Sequence, residues 1–193
     1  MTAGNGAATD HDGGDVTDGA ETSVGGSDGS VSRREMAARN IEVAYRAIER
    51  GLSVFPVALS YDPKRQKIGK RPLTARGHLD AERTRAGLEE HFTLADKRLK
   101  SGEVLAAGCV PGSAGFTLFD GDVGDEKDGP LFLAETLALS KEGEPFRTPS
   151  GGVHYWLRKR DVTMKITNSS PWQDDGVDIR GDNGWVVVPG TIS

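Results

Sequence analysis

Phe116-Thr117-Leu118-Phe119-Asp120-Gly121-Asp122 is an apolar run that ends in two acids separated by one residue. Its β-branched and aromatic residues mark a strand, and the period-two alternation of a strand puts both carboxylates on one face. At a separation of roughly 6.7 Å and an effective dielectric of about 20, two such charges repel by roughly 2.5 kcal/mol. A divalent cation between them removes that cost, and hard carboxylate oxygens suit Mg²⁺ or Mn²⁺. The plainer reading is a strand running into an acidic loop, because Asp125, Glu126 and Asp128 follow closely. A calcium loop beginning at Asp120 is excluded, since its fifth position is Gly124 and its twelfth is Leu131.

Two further segments lie downstream. Thr148-Pro149-Ser150-Gly151-Gly152-Val153-His154-Tyr155-Trp156 is a glycine-bearing turn that leads into a strand carrying a histidine. Gly151 and Gly152 let backbone amides approach a phosphate, Ser150 can donate to it, and His154 can contact a triphosphate or a transferring proton. In Val177-Asp178-Ile179-Arg180-Gly181, Asp178 supplies a third acid and Arg180 a cation on the same strand face. Taken singly, His154 also reads as a structural histidine, and Asp178 with Arg180 as an ordinary surface ion pair.

Upstream, Ser32-Arg33-Arg34-Glu35 fits a capping box and predicts a helix, with Ala37, Ile41, Ala44, Tyr45 and Ile48 at helical spacing and Gly51 as its stop. Leu52 to Leu59 predicts a strand, with Pro56 pointing to an edge or an irregularity. A polar, basic loop is expected from Ser60 to about Leu79, and Asp80 is expected to cap a helix that points Ala81, Leu88 and Phe92 inward. Lys64, Arg65, Lys67, Lys70 and Arg71 form the densest cationic cluster, either a solvated loop or a contact for phosphates. Val104 to Val110 and Gly115 to Asp122 are expected to pair as strands across Pro111-Gly112-Ser113-Ala114. Leu131 to Leu139 predicts a short amphipathic helix, Gly152 to Arg158 a strand, and Gly176 to Val188 a hairpin with Gly181-Asp182-Asn183-Gly184 at its tip. Antiparallel pairs with occasional helices indicate an α+β domain.

Residues 1–32 read differently. They hold six of the 29 acids and none of the 24 Lys and Arg, among glycines, serines and threonines. A disordered acidic tail is expected, because it has too little apolar surface to offset the entropy of ordering. The remaining 23 acids against 24 cations give residues 33–193 a formal charge of +1, despite a whole-chain charge of −5. The one cysteine, Cys109, excludes an intrachain disulfide and a thiolate zinc cage. No apolar run is long enough to span a membrane and the N-terminus lacks signal-peptide character, so no membrane partner and a cytoplasmic location are expected.

The apolar strand ending in Asp-x-Asp, the Ser-Gly-Gly-x-His turn and the Val-Asp-Ile-Arg-Gly segment before Val-Val-Val-Pro occur in one order. In that order, residues 33–193 resemble the N-terminal domain of bifunctional DNA primase/polymerases, of the archaeo-eukaryotic primase type. Tyr45, Gly51 to Val57 and Lys70-Arg71-Pro72-Leu73 look like the opening of that family. The resemblance implies a palm with an antiparallel, RNA-recognition-like sheet and flanking helices. It implies that Asp120, Asp122 and Asp178 hold two catalytic Mg²⁺ or Mn²⁺ ions. By the same resemblance, Ser150, Gly151, Gly152, His154 and Arg180 bind the incoming nucleoside triphosphate, and Lys70 and Arg71 are weaker phosphate contacts. The implied partners are a DNA template, a ribo- or deoxyribonucleoside triphosphate and an accompanying helicase domain or subunit. The implied reaction is templated nucleotidyl transfer in the replication of a plasmid, phage or other mobile element. Family members usually continue past the equivalent of Ser193, so a C-terminally truncated domain is expected. Two rivals stand beside this: another Asp-x-Asp phosphotransfer enzyme, such as a phosphatase with Asp120 as nucleophile, and a module that binds single strands or nucleotides without catalysis.

Overall fold

The computed structural model describes residues 31–65, 67–124, 126–139, 145–148 and 150–191. The expected acidic tail therefore lies, apart from its last two residues, outside the described residues. Helix α1 spans Arg33–Glu49 and opens with the expected capping box, in which Ser32 Oγ accepts from the Glu35 amide while the Glu35 carboxylate accepts from the Ser32 amide. Such a cap is worth about 1 kcal/mol. Its inner face is made of Ala44, Ala47 and Asn40. The small alanines allow close approach to a sheet, and the fully buried Asn40 donates to the Leu105 carbonyl at 3.0 Å.

Strand β1 (Ser53–Asp62) pairs antiparallel with β2 (Lys67–Pro72) on one side and with β3 (Val104–Val110) on the other. Alternation splits β1 cleanly. Val54 and Ala58 meet α1 and helix α2 (Arg85–Asp96) through Leu88 and Phe92, while Phe55, Val57 and Leu59 face the opposite side with Ala106 and Val110. Two expectations are corrected here. The basic segment is no loop, since Lys67 to Pro72 forms a strand in register with β1, Leu59 opposite Lys70. Asp80 closes a 3₁₀ turn (Gly77–Asp80) by accepting from the Arg76 amide, and Thr84 is the residue whose side chain caps α2, accepting from the Gly87 amide.

Pro56 lies in an interior strand, not at an edge. Val54 exchanges both backbone bonds with Glu82, and two residues later the Pro56 carbonyl accepts from Leu73. The missing amide of Pro56 falls on that same side, between the Glu82 bridge and the last residue of β2, Pro72. The bond a Pro56 amide would have given the Leu73 carbonyl is replaced by Arg98 Nη1, which donates to that carbonyl at 2.7 Å.

After β3 a 3₁₀ turn (Pro111–Ala114) and Gly115, at φ 76°, carry the chain into a second sheet. Strand β4 (Phe116–Gly121) is followed by the two-residue strands β5 (Val123–Gly124) and β6 (Lys127–Asp128), then a helical turn at Gly129–Leu131 that widens into a π-helical turn over Phe132–Thr136. The helix expected over Leu131 to Leu139 is thus shorter and wider, and it buries Leu133 completely. Strands β7 (Phe146–Arg147), β8 (Val153–Arg158), β9 (Ser169–Trp172) and β10 (Val177–Arg180) complete the second sheet, in the order β7-β8-β4-β10-β9. The chain then returns to the first sheet as β11 (Val186–Val187), giving the order β11-β3-β1-β2. The pairings in both sheets are antiparallel, consistent with an α+β domain.

Neither expected hairpin forms, because β3 and β4 enter different sheets, as do β10 and β11. The turn residues were real signals of reversal, but they carry the chain from sheet to sheet. The two crossings touch: a Cβ added at Gly112 would stand 2.5 Å from Asp182 Cα. Asp182 anchors the second crossing by an ion pair with the buried Lys159 and by accepting from the Ile166 amide at 3.1 Å.

Lys159 is buried while Asp182 is only half-buried, so Asp182→Asn leaves the lysine charge uncompensated at an expected cost of about 1–3 kcal/mol in chemical denaturation. The hydrogen bond from Lys159 holds the Asp182 carboxyl below its ordinary range. A depressed carboxyl contributes stability that is present above its unfolded pKa and lost as pH falls through the folded one. Wild-type stability should therefore fall on acidification below the usual carboxylate range, and Asp182→Asn should lose less over that interval.

Candidate active site

The second sheet brings the expected residues together by register. Asp120 on β4 is the direct cross-strand partner of His154 on β8 and of Asp178 on β10, so the three side chains form one row across adjacent strands. Arg180 lies two residues beyond Asp178 on the same strand face. Asp122, just past the end of β4, is held by its backbone: its amide donates to the Gly176 carbonyl at 2.8 Å and its carbonyl accepts from Gly129 at 3.0 Å. Gly176, at φ 79°, is left without a Cβ where one would stand 2.8 Å from the Asp122 carbonyl.

One carboxylate oxygen from each of Asp120, Asp122 and Asp178 lies within 4.8 Å of the others. Asp120 is buried, Asp178 half-buried and Asp122 exposed at the rim. His154 Nε2 stands 3.2 Å from Asp120 Oδ1. Arg180 Nη2 bridges the two strand carboxylates, 2.7 Å from Asp178 Oδ2 and 3.3 Å from Asp120 Oδ2. Burial pushes the Asp120 carboxyl upward, but the His154 hydrogen bond and the positive potential of His154, Arg180 and Lys70 outweigh it and hold Asp120 below its ordinary range. Asp122 moves the other way: the protein packed behind it and then the Asp120 charge push it up, with Asp178 adding to the effect. The cluster thus carries more negative charge than Arg180 and His154 neutralise, and its all-oxygen donor set fits a hard divalent cation.

The row opens on a cleft of about 1130 Å³ whose lining includes Asp122, His154, Ser150 and Lys70. Lys67, Lys127 and Arg147 add further positive charge to it. Of these, Lys127 and Arg147 were not legible as site residues, because nothing in their local sequence separates them from other surface cations. The turn between β7 and β8 supplies Ser150, whose Oγ lies 3.1 Å from Thr148 Oγ1, and Gly151, at φ 88°. Gly152 follows it against the end of β4: an added Cβ would be 2.4 Å from the Gly121 carbonyl oxygen. Arg71 does not join the cleft lining. It points to the other side of β2 and forms a two-pronged pair with Glu103, at 2.5 and 3.1 Å, while its Nη2 also donates to the Arg98 carbonyl.

Two outcomes test this geometry. Gly152→Ala should force β8 away from β4, lowering stability by about 1–3 kcal/mol in denaturant titration and weakening divalent-ion binding with it. Arg180→Ala removes a cation that competes for the same oxygens, so Mn²⁺ binding measured by calorimetry should tighten by about tenfold. Weaker binding would show that Arg180 organises the carboxylates instead of competing for them.

No curated protein matches this chain. A family model described as bifunctional DNA primase/polymerase, N-terminal, matches residues 44–193. The matched stretch begins inside α1 and contains both sheets, the carboxylate row and the cleft. The chain belongs to the family of bifunctional DNA primase/polymerase N-terminal domains.

Proposed function

We propose that residues 33–193 form a catalytic domain that adds nucleotides to a 3′-hydroxyl on a DNA template, as primer synthesis or polymerisation in the replication of a mobile element. The observation that carries this reading is the convergence of Asp120, Asp122 and Asp178 within 4.8 Å at the mouth of a cation-lined cleft. In the reaction the 3′-hydroxyl oxygen bonds to the α-phosphorus, the bond from that phosphorus to the bridging oxygen breaks, and pyrophosphate leaves while the hydroxyl proton passes to solvent or base. Two Mg²⁺ or Mn²⁺ ions on the three aspartates would supply charge neutralisation at the phosphate oxygens and a more acidic attacking hydroxyl.

The chain's own residues prepare the site for that chemistry. His154 orients Asp120 from one side, and Arg180 bridges Asp120 and Asp178 in the place a cation would take. Lys70 faces the cleft, where it offsets the charge of a bound triphosphate, and the Ser150 to Gly152 turn presents a hydroxyl and close backbone to it. Arg180, released from its carboxylates when a cation binds them, would become available to the triphosphate. A rival phosphatase reading needs Asp120 as an accessible nucleophile, and its burial between His154 and Arg180 disfavours that. No observation favours a binding module without catalysis.

Template-directed incorporation of labelled nucleotides by the full chain with Mn²⁺ or Mg²⁺ is the test. Asp120→Ala and Asp178→Ala should each drop incorporation by about 10³-fold or more while single-stranded DNA binding persists. Incorporation that survives both substitutions would sink the proposal. Trapping of a beryllium or aluminium fluoride aspartyl-phosphate analogue on Asp120 of the wild-type chain would favour the phosphatase.

A further inference from the structure

The row of side chains that carries Asp178, Asp120 and His154 continues to a fourth strand. Phe146 on β7 is the cross-strand partner of His154, so its ring lies on the same face of the sheet. It is 49% exposed and lines the cleft. Its orientation is set from beside it on the same face: the ring meets Trp156 edge-on, with centroids 6.4 Å apart, and Trp156 meets Phe116 in the same manner at 6.0 Å. Trp156 in turn packs against the main core. A ring held by one aromatic neighbour yet left half in water forfeits burial that a nearby core position would give it.

The polar lining of the cleft accounts for the ionic part of a nucleotide. Lys70 and Ser150 suit phosphates, and the carboxylates suit a cation. Phe146 suits neither. Leu59, Ile68 and Val187 also line this cleft and belong to the apolar face of the first sheet, so the cleft has an apolar portion as well as a charged one. The part of a nucleoside triphosphate with matching chemistry is its flat heterocycle.

We propose that Phe146 is the platform on which the base of the bound nucleoside triphosphate stacks, an inference that rests on the nucleotidyl-transfer reading. Every base has a π-face, so such a platform adds affinity without choosing among bases. Choice is then left to the template, as templated synthesis requires.

Calorimetry on the full chain with Mn²⁺ tests this, using dATP, ATP, dCTP and inorganic tripolyphosphate as ligands for wild type, Phe146→Ala and Phe146→Tyr. Wild type is expected to bind the nucleotides more tightly than tripolyphosphate. Phe146→Ala should weaken all three nucleotides by about tenfold and leave tripolyphosphate unchanged, and Phe146→Tyr should restore the nucleotides. Equal weakening of tripolyphosphate and nucleotides would overturn the proposal, because it would mean that Phe146 merely supports the turn. Unchanged nucleotide binding in Phe146→Ala, or wild-type tripolyphosphate binding as tight as dATP, would overturn it while leaving nucleotidyl transfer intact. Failure of wild type to bind any of the four ligands would overturn both.

Discussion

The position of β4 between β8 and β10 is the constraint on which the rest of the molecule depends. Side chains along a strand alternate between faces, so a slip of one residue in either pairing would turn Asp120 away from His154 and Asp178 and bury it in the third core cluster instead. That cluster resists the slip. Leu133, Val153, Tyr155 and Val177 occupy the opposite face of the same strands, and exchanging them with a row of charged groups would expose apolar surface and bury unpaired carboxylates together. The register that assembles the site is therefore enforced by packing on the face away from it.

Burial of Asp120 follows from that arrangement and creates an electrostatic debt within the row. Its carboxylate has His154 on one oxygen and Arg180 on the other, which is why it stays ionised below its usual range despite the loss of water. Among the described residues Asp122 has no comparable side-chain partner, and it shifts upward. A site with one satisfied and one unsatisfied carboxylate is poised to take up positive charge, and the excess sits at the rim that faces the cleft.

Sequence reading picked out the residues that the second sheet brings together better than it read the topology. The candidate residues Asp120, Asp122, Ser150, His154, Asp178 and Arg180 stand out in the sequence because each belongs to a short segment whose residue types have few other uses together. The helix at Arg33–Glu49 was legible for a similar reason, since the capping box is a local interaction complete within four residues. Strand partners are not local. Pro111 to Ala114 and Gly181 to Gly184 announce a change of direction in either a hairpin or a crossing, and only the apolar faces brought together decide between them. Strand β2 was missed because Lys67, Gly69 and Lys70 have poor strand propensity, and the backbone of β1 supplies what their side chains do not. Arg71 looked equivalent to Lys70 in a basic run, yet adjacent residues of a strand point opposite ways, and Glu103 claims the arginine.

The place of β2 in its sheet gives its lysines a second consequence. It is an edge strand, with an outer row of backbone donors and acceptors that has no partner in the sheet order. Such an edge invites pairing with another chain, and lysine side chains along it are a common means of preventing that. Lys67 and Lys70 thus put on that edge the same charge that lines the cleft. Neutralising them would weaken attraction for phosphate and, at once, open an adhesive edge beside the cleft, so solubility and ligand affinity cannot be tuned independently along this strand.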